Sequence, residues 1–223
     1  MEHDVLVVPR ELGGEKTGPS DPIPYYFRGW GIGRLFRRRI MMGLEMLPPL
    51  REGARVLEIG YASGLLLYNF GRRNLELHGL DLDADPEQIG ARLRGLGVTA
   101  RLVRGSVLDM RRLYSDGMFD LTICFSTLEH IAQPAAALDE MDRVTAAGGH
   151  LLLGMPAVNR FMDLAFEAIG FRNIDHHHVT TPAQVWQLVQ ARPDRWQTWS
   201  RKLPPAAPFP AALYHTFLLR KRG

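Results

Sequence analysis

Between residues 30 and 47 the apolar positions recur at four-residue steps, with Ile32, Phe36, Ile40 and Leu44 in line and Leu35 and Leu47 beside them. That is the period of one helix face, and Pro48-Pro49 ends it. The opposite face carries Arg34, Arg37 and Arg38. It reads as a solvated face or as an anion-attracting rim over a site. Downstream the pattern alternates. Short apolar runs at 55–60, 75–81, 99–103, 119–125 and 150–154 read as buried strands. Stretches at 65–73, 86–96, 109–114, 134–144, 159–169 and 181–190 read as helices. Gly97 stops the second of these and Pro134 opens the fourth, while Thr181 and Pro182 suit an N-cap and first helical position. Gly148-Gly149 predicts a turn before the last of these strands. Two late segments, 196–202 and 213–220, flank a connection rich in Pro and Ala and predict an antiparallel pair.

Apolar strands alternating with helices imply an α/β fold: a doubly wound, mainly parallel sheet with helices on both faces. The chain has no internal repeat and no interdomain linker, so one domain over 1–223 is expected, with 1–50 as an N-terminal lid and 157–223 on the acceptor side. Residues 9–24 are loop-like, broken by Gly13-Gly14, Gly18-Pro19, Pro22 and Pro24. The run 13–18 fails as a phosphate-binding loop, because Pro19 and not Lys follows Gly18.

Composition narrows the function. With 46% hydrophobic and 23% charged residues, the chain has the make-up of an ordinary globular protein. No apolar run approaches the ~18 residues of a membrane span, and the first residues lack the features of a secretory leader. The single cysteine, Cys124, excludes an internal disulfide and a cysteine-based zinc site. A cytoplasmic setting without membrane insertion is therefore expected. The net charge of +3 is unevenly spread: 51–191 is mildly acidic, whereas 192–223 holds seven basic residues against Asp194 alone. Basic ends around an acidic centre are poor evidence for nucleic-acid binding, and no nucleic-acid partner is expected.

The informative segment is 56–64, Val-Leu-Glu-Ile-Gly-Tyr-Ala-Ser-Gly. A strand ends in Glu58 and Gly60, and Gly64 opens the next helix, whose first N–H groups are unpaired. In doubly wound sheets ligands bind beyond such strand ends. A dinucleotide fingerprint is absent, since Gly60 and Gly64 are four apart and position 62 is Ala. Glu58 would repel a pyrophosphate; it suits a ligand with an ammonium group and no phosphate, as in S-adenosylmethionine. Asp81, 21 residues beyond Gly60 at the end of the next strand, stands where a carboxylate accepts from two ribose hydroxyls, with Asp83 as rival and helix capping as the structural alternative.

The chain resembles the class I S-adenosylmethionine-dependent methyltransferases of the type 11 methyltransferase-domain group. The matching segments are 56–64, 79–83 (GLDLD), 103–107 (VRGSV), 119–131 (FDLTICFSTLEHI) and 139–156 (DEMDRVTAAGGHLLLGMP), in the family's order and spacing. The resemblance implies a seven-stranded sheet with its last strand antiparallel. It places Glu58, Gly60 and Gly64 around the methionine end of the cofactor, with Tyr61 in the same loop, and Asp81 on the ribose. Ser106 and Val107 border the adenine, with Leu82 packing there too. The family often has an acidic residue where this chain has Ser106.

For the acceptor, Phe125 to His130 should face the transferred methyl, with Glu129 and His130 as candidate catalytic groups. Tyr25, Tyr26, Phe27 and Trp30 suit an apolar or aromatic acceptor, or else plain packing. Of His176-His177-His178, His177 is counted as an acceptor contact. Consecutive strand residues alternate faces, so no metal site is expected of the three, although one or two could join Glu129 or Asp175. The expected reaction is methyl transfer to oxygen or nitrogen of a small molecule by a monomer or homodimer. The alternatives are a non-catalytic S-adenosylmethionine-binding scaffold and an RNA or protein methyltransferase.

Overall fold

The computed structural model describes residues 6–13, 23–27, 30–157 and 178–223. The chain opens with a 3-10 turn, Arg10–Gly13, then α1 (Ile23–Tyr26) and α2 (Trp30–Leu44). Strands and helices then alternate: β1 (Arg55–Ile59), α3 (Leu65–Gly71), β2 (Glu76–Asp81), α4 (Pro86–Gly95) and β3 (Arg101–Arg104). A 3-10 stretch, Val107–Arg112, leads to β4 (Phe119–Phe125), the 3-10 turn Leu128–His130, α5 (Pro134–Val144) and β5 (Thr145–Pro156). The described chain finishes with α6 (Pro182–Gln190), β6 (Trp196–Leu203) and β7 (Tyr214–Lys221).

The strands form one seven-stranded sheet in the order β3-β2-β1-β4-β5-β7-β6. β1 to β5 pair in parallel, and β7 runs antiparallel to both β5 and β6. This is the doubly wound architecture that the alternating pattern predicts. The order reverses between β1 and β4, so the loops after these strands flank the switch point where such sheets bind ligands.

The central strands β1, β4 and β5 are apolar on both faces because helices cover both, whereas the edge strands β3 and β6 are polar and largely exposed. Val56, Leu121, Ile123 and Leu152 pack toward Phe36 and Ile40 of α2 and the inner faces of α3 and α4. Leu57, Ile59, Leu151 and Leu153 pack toward Leu138 and Met141 of α5 and Val185 and Val189 of α6. Local chemistry fixes the helix starts. Asp85 accepts from the N–H groups of Glu87 and Gln88 ahead of Pro86, and Thr181 forms a capping box with Gln184. Each such cap contributes about 1 kcal/mol.

Some boundaries differ from the sequence expectation. Gly148-Gly149 does not end one element and start another. β5 runs through it, and its register on β4 jumps from Phe119↔Thr145 to Leu121↔His150. Gly148 adopts φ +74°, and a Cβ at Gly149 would lie 2.9 Å from the Ala146 carbonyl oxygen. The glycines thus make an irregularity within a ladder that resumes beyond them. The expected helix at 109–114 is the 3-10 stretch starting at Val107, because the Ser106 hydroxyl accepts from Leu108 N–H and starts it early. The loop-like 9–24 contains the 3-10 turn, with Leu12 fully buried. The helix expected at 159–169 lies outside the described residues.

The N-terminal segment is stitched to the core. Asn69 of α3 accepts from Val7 N–H and donates to the Val7 carbonyl, both at 2.9 Å, and Leu6, Leu12, Ile23 and Tyr26 are buried.

His215 of β7 is buried against Phe209, with ring centroids 4.1 Å apart. Burial lowers its pKa to about 4 from the ordinary 6.5. The unfolded chain therefore binds a proton that the folded one refuses, and stability falls as pH drops from about 6.5 toward 4. Chemical unfolding at pH 7 and pH 4.5 is expected to show a loss about 2 kcal/mol larger in the wild type than in His215→Gln. Equal losses would place His215 outside the acid sensitivity.

Candidate cofactor and acceptor site

The loop after β1 bends sharply. Gly60, Ala62 and Gly64 all have positive φ, at +75°, +43° and +79°. Gly60 has a second reason to lack a side chain: a Cβ there would lie 2.0 Å from the Thr127 hydroxyl. The loop after β4 therefore rests directly on the loop after β1. Gly64 caps α3, whose early amide at Leu67 donates to Glu58 at 3.1 Å. Glu58 is buried, and burial pushes its carboxyl well above the usual carboxylate range, with the nearby charge of Asp81 adding to the rise. A ligand ammonium would reverse that shift.

Asp81 ties the loops together. Its Oδ2 accepts from Ala62 N–H at 2.8 Å, and its Oδ1 accepts from Asp83 and Ala84 N–H at 2.9 Å. Gly60 N–H donates to the Leu80 carbonyl, and Gly105 N–H to the Asp81 carbonyl. The ends of β1, β2 and β3 are thus laced into one rim. Asp85, not Asp81 or Asp83, caps α4. A carboxylate has about four acceptor positions, so Asp81 keeps capacity for a hydroxyl.

The other expected cofactor residues divide by exposure. Leu82 is 62% exposed beside this rim, whereas Val107 is buried and the Ser106 hydroxyl caps the turn that follows it. Tyr61 points inward: its ring fills the space over Gly79, where a Cβ would lie 2.7 Å from it, and it is 1% exposed. Position 61 therefore offers a ligand its backbone. Phe125 is wedged between Gly43 and Gly154, either of which would collide with it if given a Cβ.

Beyond β4 lies a group of residues that the helical pattern of α2 did not single out. Arg39 turns inward from α2, its guanidinium 4.1 Å from the Phe36 ring centroid. Its Nη1 and Nη2 donate to Ser126 Oγ and Tyr26 Oη at 3.4 and 3.5 Å, and Nε has no partner among the described residues. No carboxylate among the described residues pairs with it. Ser126, at φ +52°, also shares a 3.1 Å hydrogen bond with Tyr214 Oη. The signal in the sequence was Arg39's place three residues after Phe36, on the apolar side of the helix. Arg37 instead donates to the carbonyls of Leu6 and Tyr26, and Arg38 pairs with Glu45.

Glu129 is 1% exposed, and its Oε2 has no hydrogen-bond partner among the described residues. Burial pushes its pKa up to about 8, with the charge of Arg39 opposing. His130 is exposed and its ring centroid lies 5.1 Å from that of His178. One ligand atom from each of Glu129, His130 and His178 lies within 4.8 Å of the others, so these three could hold a metal ion. Tyr25 and Tyr26 pack against Phe36 at 5.2 and 5.7 Å between centroids. His177 lies outside the described residues.

Residues 33–192 match the family model described as a methyltransferase domain. The chain belongs to this family, the class I S-adenosylmethionine-dependent methyltransferases. It is 32% identical over 110 residues to the ubiquinone biosynthesis O-methyltransferase of Pectobacterium atrosepticum, covering 48% of this chain and 44% of that protein. The chain thus spans less than half the length of that curated relative. Among solved structures it is similar to YcgJ of Bacillus subtilis, with TM-score 0.61 and 17% identity over 84% of this chain and 99% of that one. It is also similar to a SAM-dependent methyltransferase, possible histamine N-methyltransferase, of Thermotoga maritima, with TM-score 0.59 and 16% identity over 84% of this chain and 89% of that one. At those identities the structures support the fold.

The Gly60–Thr127 contact is open to a direct test in this member of the family. Gly60→Ala adds a Cβ at positive φ into the Thr127 hydroxyl, and is expected to lower unfolding free energy by about 2 kcal/mol or more. Adding Thr127→Ala should recover part of that loss, because the steric share is relieved and the backbone strain is not. A double variant no more stable than Gly60→Ala would remove the contact from the account.

Proposed function

We propose that the protein transfers a methyl group from S-adenosylmethionine to an oxygen, or alternatively a nitrogen, of a small-molecule acceptor. The observation that carries this reading is Arg39: a half-buried guanidinium turned inward at the switch point, with no carboxylate in ion-pair contact among the described residues. A charge partly withdrawn from water without an ion pair is costly, and an anionic ligand group offsets that cost. The cofactor's amino-acid end carries such a group together with an ammonium.

On this reading Arg39 pairs with the carboxylate, and Glu58 provides negative charge on the ammonium side. Asp81 receives the ribose hydroxyls with the acceptor capacity left after its three amide bonds. Leu82 and Val107 pack the adenine, with Ser106 near it. The cradle at Gly60 lets backbone approach without a Cβ between. When bound, S-adenosylmethionine supplies an activated methyl on sulfur, so the protein's work is alignment and exclusion of water. Phe125, held between Gly43 and Gly154, walls the transfer point. Glu129 and His130 follow β4 on the acceptor side, and Tyr25, Tyr26 and His177 border the acceptor. The name of the curated relatives favours oxygen.

Calorimetric titration tests this with two ligands. S-adenosylhomocysteine should bind the wild type and weaken at least about tenfold, roughly 1.4 kcal/mol, in both Asp81→Ala and Arg39→Met. Methylthioadenosine, which lacks the amino-acid end, should weaken in Asp81→Ala and stay unchanged in Arg39→Met. Absence of S-adenosylhomocysteine binding would overturn the reading, and equal weakening of both ligands by Arg39→Met would displace Arg39 from the carboxylate.

A further inference from the structure

The 3-10 turn Leu128–His130 and the strand of chain entering α6 are held together by three hydrogen bonds. Val179 and Thr180 N–H both donate to the Glu129 carbonyl, at 2.8 and 3.2 Å, and Thr180 Oγ1 donates to the Ile131 carbonyl at 2.6 Å. This lacing sets His178 beside Glu129 and His130. A side chain far along the sequence thereby joins two neighbours on a tight turn, and the ligand atoms of all three fall within 4.8 Å. A second feature is independent of that clustering. The Glu129 carboxylate is buried, yet Oε2 has no hydrogen-bond partner among the described residues. Buried polar atoms are normally satisfied, and a buried carboxylate oxygen without a donor calls for a proton or a cation.

We propose that Glu129, His130 and His178 form a binding site for one divalent first-row transition-metal ion. One carboxylate and two imidazoles suit zinc, cobalt, manganese or iron rather than magnesium or calcium, which prefer all-oxygen shells. Ligand atoms sharing an ion at about 2.0–2.2 Å lie about 3.0–3.5 Å apart. Modest rotation of the imidazoles closes the present spacing, and His130, being exposed, has room to turn. Three protein ligands leave a coordination position open, the arrangement of catalytic rather than structural sites. An acceptor oxygen entering that position would lose its proton more readily. That last consequence rests on the proposed methyl transfer; the binding of the ion does not.

The test uses untagged, chelator-treated protein with no cofactor present, titrated with Co(II) and Zn(II) separately. Cobalt is followed by its ligand-field absorption and zinc by competition with a chromophoric chelator. One ion per chain is expected, with Mg(II) failing to compete. Affinity should drop at least about tenfold in each of His178→Ala, His130→Ala and Glu129→Gln, and should persist in the double variant His176→Ala/His177→Ala. Circular dichroism checks the fold of each, and the exposed His130 variant keeps the test open if Glu129→Gln fails to fold. The proposal is overturned if neither ion binds saturably, if binding survives loss of both His130 and His178, or if only the 176/177 double variant abolishes it. S-adenosylhomocysteine affinity, measured on the same protein, separates failure of the metal site from failure of the methyl-transfer reading.

Discussion

The Asp81 carboxylate is the constraint on which the site depends. Parallel strands in a doubly wound sheet end in separate loops, and each loop has amides that the ladder leaves unpaired. Asp81 accepts three of them, one from the β1 loop at Ala62 and two from its own at Asp83 and Ala84. The Gly60 and Gly105 amides complete the lacing through backbone carbonyls. The rim is therefore ordered by the protein's own hydrogen bonds, and a ligand that binds there does not have to arrange it. Such preorganisation lowers the entropic penalty of binding.

A second constraint is steric. Glycine is required where two loops or a ring press on backbone: Gly60 under Thr127, Gly79 under Tyr61, and Gly43 and Gly154 on either side of Phe125. These contacts bring the loops after β1 and β4 together at the reversal of strand order. The half-buried guanidinium of Arg39 lies near Ser126 at the same end of the sheet.

Much of the fold was legible because its signals are local. Strand-length apolar runs and the prolines that open α4, α5 and α6 fix most elements within a few residues, and the spacing of Glu58, Gly60 and Asp81 singles out a candidate site at the strand ends. Gly148-Gly149 misleads because glycine pairs mark both turns and ladder irregularities, and only pairing on both sides, seen in the β4–β5 register, separates them. Tyr61 could be placed in the right loop, but its direction depends on the absence of a side chain at Gly79 on the neighbouring strand. Arg39 was hidden among three other arginines of the same helix; its surroundings come from Tyr26, Ser126 and Tyr214, which are distant in sequence. The meeting of His178 with Glu129 and His130 depends on backbone bonds from Val179 and Thr180, which no local pattern encodes.

The central claim is that the laced strand-end rim receives the cofactor with its carboxylate on Arg39 and its ribose on Asp81. A crystal structure of the complex with S-adenosylhomocysteine tests it most directly. The account predicts ribose hydroxyls on Asp81, with its bond to Ala62 N–H retained, and the ligand carboxylate on the Arg39 guanidinium. A ligand bound with its ribose away from Asp81, or with its carboxylate in solvent and Arg39 unpaired, would contradict it.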